Sequence, residues 1–249
     1  MSLRDVKQKI MKEKIILALD LSSADEARKT VEIFRGEVGA FKIGLQLFTA
    51  AGASFVRELT AGGVKIFLDL KFHDIPNTVA GAAIEAARLG VWMFNVHAIG
   101  GREMMRATVE SVRETCARED LEQPKMIAVT VLTSASAETL EEVGIKSPVS
   151  EQVLKLAQLA SECEMDGVVA SPREIELIRG NIGRKDFLIV TPGVRPAFAT
   201  TDDQKRVMTP AEAIIAGSDH LVIGRPVLKA ENPLLSVRGI IEEMENARK

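Results

Sequence analysis

Short apolar runs alternate with amphipathic stretches along almost the whole chain, and the alternation repeats eight times. The apolar runs are rich in Val, Ile, Leu and Ala and three to seven residues long, which predicts strands; the stretches between them carry apolar residues at three- and four-residue spacing, which predicts helices. Strands are expected at 15–19, 40–43, 66–70, 92–96, 126–132, 167–170, 187–190 and 221–223. The first helix starts from a cap in Ser22-Ser-Ala-Asp-Glu26 and reaches about 34, with acids in its first turn. Others are expected at 47–59, closed by Gly62-Gly63, from Pro76 to about 90, 102–118, 150–164, 172–179 and 233–247, with a short extra one at 137–143. A long loop runs from 191 to about 207, and no helix is assigned between it and the eighth strand.

Eight βα units without a linker or composition break predict an α/β fold, a single-domain (β/α)8 TIM barrel over residues 1–249, with 1–14 as a short N-terminal extension. A doubly wound sheet would place a Gly-rich turn after its first strand, and Asp20-Leu-Ser-Ser-Ala has no Gly. Apart from 92–96, the strands are nearly free of polar residues, as expected where both faces are covered.

Composition narrows the partners more than the fold. A net charge of −3 with one Trp and no Tyr provides neither a basic surface nor a stacking platform, so no nucleic acid polymer is expected. No run of apolar residues is long enough to span a membrane, and no secretory leader precedes the first strand. Cys116 and Cys163 fall in helical patterns without paired spacing; two buried thiols in a soluble, cytoplasmic protein are the expectation.

The exceptions to the apolar pattern mark the chemistry. Barrel active sites gather where strands end, and the polar residues there are Asp20, Lys42, Asp69, Lys71, Asn95, His97, Thr130, Thr133, Ser134, Ser171 and Arg195. Asn95 and Ser171 read as ordinary strand-end groups meeting water. Asp69 and Lys71, two apart, share one strand face, and Asp74 follows three residues on. Charges so placed are costly unless they compensate one another. Asp20, Lys42, Asp69 and Lys71 together predict an alternating Asp-Lys-Asp-Lys chain across three adjacent strands. An ammonium held among carboxylates keeps its charge, which suits Lys71 to proton donation rather than to Schiff-base chemistry.

Two later segments suit a phosphate. Thr191-Pro-Gly-Val-Arg195-Pro follows the seventh strand and Gly224-Arg225-Pro226 the eighth, where barrels commonly seat phosphate groups. Gly224 allows close approach, Arg225 supplies a two-pronged donor, and the 191–207 loop with Arg195 and Gln204 is long enough to close as a lid. His73, His97 and His220 have no metal-ligand spacing, and no nucleotide-cofactor glycine motif occurs, so neither metal nor cofactor is expected.

Asp69-Leu-Lys71-Phe-His-Asp74-Ile-Pro-Asn-Thr78, together with Asp20, Lys42, Thr130-Val-Leu-Thr-Ser134, Thr191-Pro-Gly-Val-Arg195-Pro, Gln204 and Gly224-Arg225-Pro226, closely resembles the bacterial orotidine 5'-phosphate decarboxylase family from Ile15 to Pro226. The resemblance implies cofactor-free decarboxylation of orotidine 5'-monophosphate to uridine 5'-monophosphate, the last step of de novo pyrimidine nucleotide synthesis. It further implies catalytic roles for Lys42, Asp69, Lys71 and Asp74, with Lys71 protonating C6 of the base and Asp69 beside the substrate carboxylate. Asp20 and Lys42 would hold the ribose, and Thr133 and Ser134 the pyrimidine edge. Arg195, Gln204, Gly224 and Arg225 would belong to the phosphate end. Asp74 and Thr78 would reach into a neighbouring subunit's site, making the enzyme a homodimer. Two other readings stay open: a metal-dependent sugar-phosphate enzyme sharing the Asp-x-Lys-x-x-Asp strand, and a silent barrel that senses a nucleotide.

Overall fold

A computed structural model of the protein describes residues 3–198 and 208–247. Eight parallel strands close in sequence order: β1 (Ile15–Ala18), β2 (Ala40–Gly44), β3 (Ile66–Phe72), β4 (Met93–His97), β5 (Lys125–Val129), β6 (Gly167–Val169), β7 (Leu188–Pro192) and β8 (His220–Ile223). β8 returns to β1, with Leu221 opposite Ile15. Around them lie α1 (Leu3–Glu13), α2 (Ala24–Phe34), α3 (Leu45–Ala61), α4 (Pro76–Arg88), α5 (Gly101–Glu119), α6 (Ala137–Glu142), α7 (Val149–Glu162), α8 (Ile175–Asn181), α9 (Pro210–Ala216), α10 (Arg225–Leu228) and α11 (Pro233–Glu245). The expected single-domain (β/α)8 barrel is the fold observed.

Successive strand side chains point to opposite faces, and here both faces are apolar. Ile15, Leu17 and Leu19 face the helical layer, while Ile16 and Ala18 face inward to Ala40, Phe67, Met93, Ile127, Val190 and Val222. Those inward residues fill the lower barrel, so charge can enter only nearer the C-terminal strand ends. The expected helix signals act as read: Ser23 caps α2 by accepting from the Glu26 N–H, and Pro76 opens α4.

Three elements differ from the pattern reading. Residues 3–13 form α1, which packs against α11 instead of trailing as an extension. The Lys14 carbonyl behind it accepts the Leu221 N–H at 2.8 Å, which ties the segment to the barrel base. α9 and the short α10 also form, the former capped by Thr209, whose side chain accepts from the Glu212 N–H. Finally, β5 stops at Val129, so the apolar Val131 and Leu132 belong to the following turn, and Leu132 is exposed.

The barrel base is sealed by His220, packed edge-on against Trp92 with ring centroids 5.2 Å apart. Its Nδ1 is buried without a hydrogen-bond partner among the described residues, and burial pushes the imidazole below its ordinary value of 6.5. The folded state therefore keeps His220 neutral at a pH where the unfolded chain binds a proton. Stability is expected to fall as pH drops below the ordinary histidine value. Urea titrations of His220→Leu should show a shallower loss of stability between about pH 7 and 5 than the parent chain shows; an unchanged pH slope would remove His220 from this account.

Candidate active site

Lys42 sits in β2 between Ala18 of β1 and Phe67 of β3, two residues beyond Ala40 and on the same inward face. Its Nζ lies 3.2 Å from Asp20 Oδ1 and 3.4 Å from Asp69 Oδ2. The other oxygen of Asp69 accepts from Lys71 Nζ at 2.6 Å. The predicted chain Asp20–Lys42–Asp69–Lys71 is thus present. Side-chain exposure is 11% and 13% for Lys42 and Asp69 against 57% and 27% for Asp20 and Lys71, so the chain is anchored in its middle and open at both ends. The two innermost charges neutralise one another, which is what makes their burial tolerable. Gly44 leaves the room: a Cβ there would lie 2.9 Å from Lys42 Nζ.

Lys71 owes its placement to an irregular backbone. The β3–β4 register shifts between Leu68 and Phe72, and Lys71 has φ 54°, a left-handed conformation costing a non-glycine residue about 1–2 kcal/mol. The compensation comes from Asn95 on β4, whose Oδ1 accepts the Lys71 N–H at 2.8 Å and whose Nδ2 donates to Asp69 Oδ1 at 2.7 Å. Asn95 is fully buried, so the expectation that it merely meets water is corrected. An unsatisfied amide would be costly there, and this one spends both ends on the charged chain.

The remaining sequence-predicted residues divide. Asp74 does not join the charge chain: it lies beyond the end of β3, is exposed, and accepts the Ile75 N–H at 2.6 Å. Thr78 is exposed in the first turn of α4, and Thr133 and Ser134 are exposed in the turn after β5. Thr130 is structural, its hydroxyl donating to the Val169 carbonyl at 3.1 Å. Ser171 caps a short 3-10 turn with Glu174, an ordinary local role as expected. His97 follows Asn95 on the inward face of β4; burial first, then the charges of His73 and Lys71, push its imidazole below the ordinary value.

Arg195 and Arg225 form the other pole. Arg195, on the loop after β7, is held through its N–H to the Met208 carbonyl. Burial, then the charge of Arg225, lowers its guanidinium from the usual value. Among the described residues neither guanidinium has a carboxylate partner, so the pair is an electropositive site open to an anion. Gly224 brings this pole to the first: a Cβ there would lie 3.2 Å from Asp20 Oδ2 and from Ala18 Cβ. Gln204 lies outside the described residues, as does part of the proposed lid. Sequence reasoning missed Gly44 and undervalued Asn95; the inward parity of Met93, Asn95 and His97 was the available signal for the latter.

The chain is similar to known proteins along almost its whole length. A curated protein of Syntrophotalea carbinolica named orotidine 5'-phosphate decarboxylase is 57% identical over 236 residues, covering 95% of this chain and 96% of that protein. One of the same name from Geobacter sulfurreducens is 56% identical over 94% of this chain and 96% of its own length. The crystal structure of orotidine 5'-phosphate decarboxylase from Lactobacillus acidophilus superposes with a TM-score of 0.82 at 39% identity, covering 92% of this chain and 98% of that one. The family model described as orotidine 5'-phosphate decarboxylase / HUMPS matches residues 13–240, almost the entire barrel, and the chain belongs to that family.

Proposed function

We propose that this chain converts orotidine 5'-monophosphate to uridine 5'-monophosphate and carbon dioxide in pyrimidine nucleotide synthesis, with neither metal nor organic cofactor. The observation that carries the reading is the four-charge chain Asp20–Lys42–Asp69–Lys71, whose last ammonium stands at the partly open end. The C6–carboxylate bond breaks and its electron pair stays on C6, in the plane of the ring, where no neighbouring π system can accept it. A fixed positive charge must stabilise that pair, and Lys71 both supplies the charge and transfers its proton to C6. The resulting amine regains a proton from solvent. Asp69 faces the departing carboxylate, and the three contacts it already makes hold it there.

Asp20 and Lys42 bind the ribose hydroxyls, and Thr133 and Ser134 the edge of the base. Arg195, Gln204, Gly224 and Arg225 take the phosphate, and closure of the 191–207 segment over it helps drive assembly of the site around the reacting carbon. The exposure of Asp74, Ile75 and Thr78 supports a homodimer in which Asp74 and Thr78 complete the partner's site. A cytoplasmic location accords with the free buried thiols of Cys116 and Cys163.

The donor set favours metal-free chemistry over that of the metal-dependent sugar-phosphate enzymes. Asp20 and Asp69 both hold Lys42, and a divalent cation at these carboxylates would have to displace that ammonium. Protein pretreated with EDTA is expected to consume orotidine 5'-monophosphate, followed by ultraviolet absorbance, and to yield uridine 5'-monophosphate identified by mass. Loss of turnover on chelation, restored by a divalent ion, would move the assignment to the sugar-phosphate enzymes. Tight binding of uridine 5'-monophosphate without turnover would make the barrel a nucleotide sensor.

A further inference from the structure

Among the described residues Asn95 is the one uncharged side chain wired into the charge chain, and it touches that chain at two points with opposite polarity. Its Nδ2 donates to Asp69 Oδ1, the same oxygen that accepts from Lys71 Nζ, and its Oδ1 accepts the backbone N–H of Lys71. The orientation of the amide follows from these partners, because the reverse would set a carbonyl oxygen against a carboxylate and an NH₂ against an N–H. Asn95 has no exposed surface, and β4 is paired along its length with β5, so it is a rigid point of reference. Lys71 is the opposite case: it stands in a register shift, in left-handed backbone geometry, at the end of a long flexible side chain.

We infer that Asn95 is a positioning residue for proton transfer: it clamps the Lys71 peptide in the left-handed turn and holds the Asp69 carboxylate, so that the Lys71 ammonium is delivered to one place. The inference rests on the reading of Lys71 as the proton donor. Without the amide, Asp69 keeps Lys42 and Lys71 as partners, but the Lys71 N–H loses its acceptor and the turn is free to relax. A displacement of about 1 Å at a reacting group costs about 10²-fold in rate. The groups assigned to the phosphate lie on other elements and do not depend on Asn95.

Asn95→Ala is expected to lower kcat for orotidine 5'-monophosphate by about 10²-fold while the dissociation constant of uridine 5'-monophosphate stays within about threefold of the parent value. Asn95→Asp keeps the shape and the acceptor for the Lys71 N–H, but sets a second carboxylate against Asp69, with Lys42, Lys71 and His97 the other titratable groups around it. Its rate is expected to recover as pH falls, because a proton shared between residues 95 and 69 restores the missing donor. The parent rate should show no such rise. A parent-like kcat in the alanine variant overturns the clamp. So does equal loss of kcat and of uridine 5'-monophosphate affinity in both variants, or a pH profile for Asn95→Asp parallel to the parent's, since these mark Asn95 as a structural group only. The parent enzyme is assayed alongside: if it has no turnover, the proposed function fails and the clamp with it, whereas an active parent with an indifferent Asn95→Ala overturns the clamp alone.

Discussion

Lys71→Ala is expected to abolish measurable turnover of orotidine 5'-monophosphate, with kcat down by about 10⁴-fold or more, while uridine 5'-monophosphate still binds. Two losses coincide in the one substitution. A positioned general acid contributes about 10²–10⁴-fold, and a fixed charge aimed at a developing anion contributes about 10²–10³-fold more, although the two do not simply multiply when one side chain supplies both. Binding should survive because Asp69 retains Lys42 and Asn95, so the buried carboxylate is not stranded, and because the arginine pole is untouched. The measurement is single-turnover absorbance together with titration of the product nucleotide. A variant that turns over normally, or that loses product binding while keeping its residual rate, would take the proton-donor role away from Lys71.

Arg225→Ala should separate nucleotide from nucleoside. A hydrogen bond to a charged group is worth about 1.5–3 kcal/mol, and the loss of a two-pronged contact to phosphate corresponds to about 10²-fold or more in kcat/KM for the 5'-monophosphate. Orotidine, which has no phosphate, should be nearly indifferent to the change. Arg225 is exposed and has no acidic partner among the described residues, so its removal should leave the melting temperature close to that of the parent. Equal losses on both substrates would count against a phosphate at this pole.

Much of this was legible before any coordinates, for a physical reason. A barrel strand covered on both faces permits few polar residues, so Asp20, Lys42, Asp69 and Lys71 stand out by charge alone, and their burial demands pairing. An amide makes no such demand, and Asn95 passed for an ordinary strand-end residue; only its parity with Met93 and His97 carried its inward direction. Asp74 is a different case. Three residues from Lys71 in sequence, it follows the end of β3 at Phe72, where strand periodicity no longer says where a side chain points. α1 was missed although LRDVKQKIMKE spaces Val6, Ile10 and Met11 as one helical face; the segment is dominated by charged and polar residues, and α11 gives that face something to pack against. The signal for α9 was available in Thr209-Pro-Ala-Glu212, a capping box with Pro at the first helical position, but it lies close after a long loop and governs only seven residues.

The pairing of Ile15 with Leu221 has a consequence for the order in which the molecule can be made. A ribosome releases Asp20, Lys42, Asp69 and Lys71 with the first three strands, long before it releases β8. Until then the sheet has two open edges, and the charged residues remain in contact with water. Contacts between such distant parts of the chain form slowly, and the seam that shuts the cylinder cannot form before β8 is released. All four charges of the chain are therefore available to one another, in water, before the seam can close.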